Sequence, residues 1–154
     1  MKDVVLRDVT TEDLAVFYTH QSDPDAVQMA AFPSRDWGAF LAHWTKVLAN
    51  ETLIKQTILY DGQVAGNIVS FEREGKQEIG YWIGKEFWGL GIATRALEAF
   101  LLAYRNRPLY ANVAKHNIGS RRVLEKCGFE RCGEDSWTPV PGGELVEEFI
   151  FILR

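Results

Sequence analysis

Between Glu78 and Thr94 the chain reads EIGYWIGKEFWGLGIAT, a run that places a carboxylate, several aromatic rings and closely spaced glycines ahead of a helix. Gly89 and Gly91 tolerate backbone dihedrals closed to other residues and let a ligand approach the main chain. The N–H groups of Trp88, Gly89, Leu90, Gly91, Ile92, Ala93 and Thr94 can then converge at the positive end of the helix, an arrangement suited to a phosphate. A tight turn without a ligand would carry the same glycines. No Gly-Lys-Ser/Thr completes a Walker loop, and no acid lies near Asn112, about 20 residues on, where a dinucleotide site needs one.

Upstream of that turn, strand alternation sets Glu78, Gly80 and Trp82 on one face. Gly80 leaves open space beside the carboxylate, and partial burial against Trp82 would raise its pKa toward that of a base working at neutral pH. An exposed acid at the start of a strand is the alternative reading. His116 and Tyr110 are further candidates for a base. Downstream, Asn117 can cap a short helix, Ser120 offers a hydroxyl one turn later, and Gly128-Phe129 forms a helix C-terminal glycine with its hydrophobic contact. Cys127 at that end is a small hydrophobe rather than a nucleophile.

The elements that must hold these residues follow from periodicity. Val4 to Leu6 form a short strand, and Thr10-Thr11-Glu12-Asp13 start a helix. Gln21 to Ser34 form a loop or broken helix between Pro24 and Pro33, and its Met29 and Phe32 could line an acceptor pocket with Trp37 and Trp137. Trp37, Phe40, Leu41, Trp44, Val47 and Leu48 have helical spacing and belong to the core. Three β-rich runs, 53–60, 64–71 and 78–83, turn at Asp61-Gly62 and Arg73-Glu74-Gly75-Lys76 and predict an antiparallel meander. A helix carrying Ala93 to Tyr104, a strand 109–113, the Asn117 helix and strands 129–137 and 145–153 complete the chain. The expectation is an α+β (mixed α/β) domain with one parallel crossover.

Composition narrows the function classes. The 154 residues suit one domain, 1–154, and 17 Lys and Arg against 21 Asp and Glu give a net charge of −4, which does not suit a coat for nucleic acid. Two cysteines, Cys127 and Cys132, match neither a disulfide scaffold nor a zinc pattern, so no metal is expected. The first residues lack a signal-peptide core and no apolar run reaches about 20 residues, so the expected address is the cytoplasm, with no membrane partner.

With both motifs in view, the sequence resembles the GNAT superfamily of acetyl-CoA-dependent N-acetyltransferases, and within it the RimJ/RimL-like branch. The resemblance rests on Glu86-Phe87-Trp88-Gly89-Leu90-Gly91 and the wording from Trp88 to Thr94, and on Asn117, Ser120 and Glu125-Lys126-Cys127-Gly128-Phe129. It implies a mostly antiparallel sheet of about seven strands, flanked by about four helices, in which the strand at 78–83 splays from the one at 109–113. It further implies acetyl-CoA as co-substrate and a primary amine as acceptor, with no nucleic acid, in a monomer or homodimer. By resemblance, Trp82, Ile83 and Gly84 offer free backbone N–H groups to the pantetheine arm and the carbonyl oxygen, the Trp88 to Thr94 amides hold pyrophosphate, and Asn117 and Ser120 attend the leaving sulfur. Glu78 stands where the histone-acetylating branch has its glutamate base. Two positions depart from the family: Glu86 replaces the usual Arg or Gln, and Leu124 replaces the tyrosine that protonates the thiolate. A non-catalytic acyl-CoA sensor is the rival implied by those departures.

Overall fold

The computed structural model describes residues 2–154. Strand β1 (Val4–Asp8) leads to helices α1 (Asp13–Ser22), α2 (Pro24–Ala30) and α3 (Trp37–Ala49). The meander β2 (Ile54–Tyr60), β3 (Gln63–Arg73) and β4 (Lys76–Ile83) follows, then a single turn of 3-10 helix at Lys85–Phe87. Helix α4 (Ile92–Ala103), strand β5 (Leu109–Ala114), helix α5 (Ile118–Lys126) and strands β6 (Glu130–Trp137) and β7 (Val146–Leu153) complete the order. The strands form one sheet in the order β1-β2-β3-β4-β5-β7-β6, antiparallel except between β4 and β5.

Adjacent residues of β3 show how the layers are built. Ile68 belongs to a core with Ile92, Leu97 and Phe100 of α4 and Leu124 of α5, whereas Val69 packs with Leu14 and Phe17 of α1 and Phe40 and Trp44 of α3. Because neighbouring side chains on a strand point to opposite faces, α4 and α5 cover one face of the sheet and α1 and α3 the other. None of the helices among the described residues is long and apolar enough to cross a membrane.

Among the described residues, five α-helices stand where about four were expected. The additional one is α2, in the stretch between Pro24 and Pro33 read as a loop or broken helix. Pro24 sits in its first turn, where no N–H is needed, and the Asp23 carboxylate accepts from Asp25 N and Ala26 N at 2.9 and 3.1 Å. Ala31 ends it in a left-handed conformation, φ 56°. At α1 the expected hydroxyl cap is absent, and Asp13 takes over the tying: it accepts from Thr10 N, from the Thr57 hydroxyl of β2 at 2.6 Å, and from both terminal nitrogens of Arg7 in β1. Burial pushes the Asp13 carboxyl up, but these donors outweigh it and hold it at about 2.

Candidate active site

The site begins where two strands part. β4 and β5 pair in register at a single position, Glu78 with Tyr110, and beyond it β4 stays with β3 while β5 stays with β7. The direction of the amides follows from the β3 pairing. Gly84 N–H donates to Ala65 O at 2.9 Å, so by antiparallel alternation the Trp82 N–H also faces β3, and the Tyr81 and Ile83 amides face the gap. This corrects the expectation that Trp82, Ile83 and Gly84 all present free amides: two of the three are directed to β3.

Gly66 secures this geometry, since a Cβ there would overlap the Trp82 carbonyl oxygen. At the end of β4, Trp88 Nε1 donates to Ile83 O at 2.9 Å and folds the following turn onto the strand. Gly84 lies against the buried His20, whose Nε2 would be 2.5 Å from a Cβ at that position. Burial pulls the His20 pKa down, against the pull of Glu86.

On the α4/α5 face the gap opens into a cavity of about 480 Å³. Tyr81, Trp82 and Ile83 of β4 form one side; Trp88, Gly89, Gly91, Ile92, Ala93 and Thr94 form the floor; Asn117 and Ser120 come from α5. Gly89 and Gly91 have φ 78° and 74°, and a Cβ at either would meet nothing within 4 Å, so the loop is open to a ligand. Arg95 N donates to Gly91 O, so the Ile92, Ala93 and Thr94 amides precede the first intrahelical bond and point toward the cavity end of α4. The Trp88 amide instead donates to Lys85 O, a departure from the expected run of free amides, and Leu90, 48% exposed, turns outward.

Glu86 also turns outward. Its side chain is 71% exposed, with a carboxylate oxygen 3.9 Å from His20 Nε2, so the family departure at this position sets no acid in the cavity wall. Two cations, Arg122 and Lys126, line the cavity one turn apart on α5; Lys126 is part of the second motif, and neither was expected in the site. Their i, i+4 spacing beside Asn117 was the available signal. Asn117 caps α5, its Oδ1 accepting from Ser120 N at 3.2 Å, and the Ser120 hydroxyl lies 2.7 Å from that of Tyr81. Leu124 is 1% exposed in the core and takes no part in the cavity.

On the α1/α3 face lies a second cavity, of about 590 Å³. Glu78, Gly80 and Trp82 line it, as alternation requires, with Phe32, Trp44 and Trp137 as aromatic walls. Phe32 and Trp137 approach with ring centroids 5.9 Å apart. Met29 instead lines the first cavity, because α2 turns it toward the gap. Glu78 is buried and bound on both oxygens by Arg73, at 2.7 and 3.0 Å. Glu148 of β7, half-buried in the same cavity, has its carboxyl pushed up by burial, with Asn112 and Arg73 opposing and Asp135 reinforcing. His116 bonds Gln28 O at 2.8 Å, joining α2 to the start of α5, and Tyr110 lies under Lys76. The two cavities share Ala30, Tyr81 and Trp82. Cys127, partly rather than fully buried and close to Thr94 O, has its thiol pushed up by burial to about 11.

This fold, a seven-stranded sheet parted at β4 and β5, is shared with solved acetyltransferases. It superposes on an acetyltransferase (GNAT family) from Bacillus anthracis with TM-score 0.82 at 19% identity, covering 99% of this chain and 96% of that one. It also superposes on a spermidine N-acetyltransferase from Vibrio cholerae, solved with CoA and spermine, with TM-score 0.82 at 16% identity, covering 97% and 94%.

The chain belongs to the GNAT acetyltransferase family, whose acetyltransferase (GNAT) domain profile matches residues 3–130. A relative named "Putative ribosomal N-acetyltransferase YdaF", from Bacillus subtilis, is 38% identical over 94 residues, 56% of this chain and 51% of its own length. The chain therefore spans about half the length of that relative. The uncharacterized N-acetyltransferase p20 of Bacillus licheniformis is 25% identical over 97% of this chain and 92% of its own.

Proposed function

We propose that this enzyme transfers an acetyl group from acetyl-CoA to a primary amine, of a small molecule or a protein N-terminus, by direct attack within a ternary complex. The observation that carries the reading is the pair of cavities on opposite faces of the sheet, meeting at Tyr81 and Trp82 where β4 leaves β5. One cavity suits a pyrophosphate and its pantetheine arm: an open glycine loop, a helix N-terminus and the flanking cations Arg122 and Lys126. The other suits an ammonium group: aromatic walls with Glu78, Asp135 and Glu148.

In this reading Gly89, Gly91 and the Ile92, Ala93 and Thr94 amides hold the pyrophosphate, and Asn117 orients the start of α5 beside the pantetheine. The Ile83 amide, facing the gap, polarises the thioester carbonyl. Glu78 takes the amine proton, directly or through water; Arg73 occupies one lone pair on each oxygen, and each oxygen has a second. The Ser120 hydroxyl supports the departing sulfur. Met29 borders the passage between cavities and Phe32 the acceptor. The wording from Trp88 to Thr94 and the match to YdaF support the RimJ/RimL-like branch, with the cytoplasm as its place of action.

Thermal unfolding with acetyl-CoA, coenzyme A and NADH tests the first half. A ligand at 100 times its Kd adds about 2.7 kcal/mol, a rise of about 5 to 10 °C, expected for the first two and not for NADH. Release of free thiol with a panel of primary amines tests the second. A thermal shift without turnover on any amine would replace the enzyme reading with that of an acyl-CoA sensor, and no shift would remove both.

A further inference from the structure

The partly buried phenol of Tyr81 has no role in the proposed acetyl transfer, yet it lies at the meeting point of the two cavities. Its hydroxyl is 2.7 Å from Ser120 Oγ and 3.3 Å from the Ser120 carbonyl oxygen. Both side chains line the α4/α5-face cavity. The tyrosine that the family resemblance places as proton donor toward the leaving sulfur is absent, its position held by Leu124, which packs in the core. Ser120 has a single hydroxyl hydrogen, and its direction decides whether it can serve the sulfur.

That direction follows from the phenol. Burial, with Cys127 reinforcing and the Ser120 bond opposing, pushes the Tyr81 hydroxyl up to about 12, so it keeps its hydrogen at physiological pH. The shorter contact is to Oγ, and an Oγ that accepts from Tyr81 leaves its own hydrogen to point elsewhere. The open direction is the cavity. The opposite arrangement, with Tyr81 donating to the carbonyl at 3.3 Å and Ser120 donating to the phenol, would turn the serine hydrogen away from the cavity.

We propose that Tyr81 is a positioning residue that fixes Ser120 as a hydrogen-bond donor aimed at the sulfur of coenzyme A, the two hydroxyls together replacing the absent tyrosine on α5. No proton leaves either side chain: the bond to sulfur stabilises the electron pair that stays there when the carbon–sulfur bond breaks. The proposal rests on the acetyl-CoA reading.

The test needs no acceptor amine. Coenzyme A bound at saturation is titrated from pH 6 to about 10, and its thiolate absorbance near 240 nm is read as the difference between loaded and unloaded protein. Arg122 and Lys126 face the same cavity in every variant, and the Cys127 thiol near Tyr81 is unchanged in each, so their influence cancels between proteins. The wild-type protein is expected to hold the bound thiol at a lower pKa than either Tyr81→Phe or Ser120→Ala, by about one pH unit. The double variant should move it no further than the larger single change. Tyr81→Phe keeps the ring and its packing, and an unchanged unfolding midpoint verifies its fold. A wild-type value in Tyr81→Phe, with or without a shift in Ser120→Ala, would overturn the proposal, as would additive shifts. If the wild-type protein binds no coenzyme A, the acetyl-CoA reading falls, and this inference with it.

Discussion

At the scale of single residues, the chemistry depends on partners that lie close in space. Glu78 is the clearest case. Its neighbour Gly80 and its place on a strand were legible from the sequence, but the two bonds from Arg73 were not, because they depend on the β3–β4 register that brings the end of one strand over the start of the next. Glu78→Gln is expected to lower kcat on the best amine by about 100-fold while leaving the Kd for coenzyme A unchanged, measured by thiol release and calorimetry. Equal turnover would pass the role of base to Glu148, the half-buried carboxylate of β7 in the same cavity. Tyr81 was hidden for a different reason. It reads as one more apolar residue of a strand, and only the approach of α5 gives its hydroxyl a partner.

At the scale of elements, the order of strands and helices was legible almost throughout, because period-two and period-3.6 patterns dominate the chain. The exception, α2, is too short for a period to establish itself: 7 residues between a capping Asp23 and a left-handed Ala31. The direction of the β4 amides was equally out of reach, since alternation tells which face a side chain takes but not which neighbouring strand an N–H meets. Gly66 holds that pairing. Gly66→Ala forces a methyl onto the Trp82 carbonyl oxygen and is expected to cost at least about 3 kcal/mol, read as a lowered urea midpoint.

A second junction, Asp13 with Arg7 and Thr57, ties α1 to β1 and β2. The Asp13 carboxyl titrates at about 2 in the fold against 3.8 without it, so the unfolded chain binds the proton more readily. The stabilisation is therefore complete above about pH 5 and declines as pH falls toward 2. Asp13→Asn should lower stability by about 2 to 3 kcal/mol at pH 7 and flatten the fall between pH 4 and 2, measured by urea unfolding across that range.

For the molecule as a whole, the sheet is a partition with one opening. In the proposed acetyl transfer, α4 and α5 gather the cofactor-binding groups on one face and α3, β6 and β7 the acceptor-binding groups on the other, so the two binding events should be separable by mutation. Trp137→Ala, which removes a wall of the acceptor cavity and the partner of Phe32, is expected to raise the KM for the amine roughly tenfold with little change in the Kd for coenzyme A. An equal loss in both would mean that the partition does not separate the sites. Glu78, Trp137 and the glycine loop could be read from the sequence as wall residues, whereas Arg122, Asp135 and Glu148 could not, and only folding showed that Met29 and Phe32, three positions apart, line different cavities.

The shared wall also gives the protein an optical label of its own. Of its five tryptophans, Trp88 borders the first cavity, Trp44 and Trp137 the second, and Trp82 both, while Trp37 borders neither. Emission excited at 295 nm should therefore change in two stages as the partners are added one after the other, and Trp82 takes part in each. Trp82→Phe leaves indoles that report the two faces separately, so in that variant the order in which the proposed ternary complex assembles can be followed without an added dye.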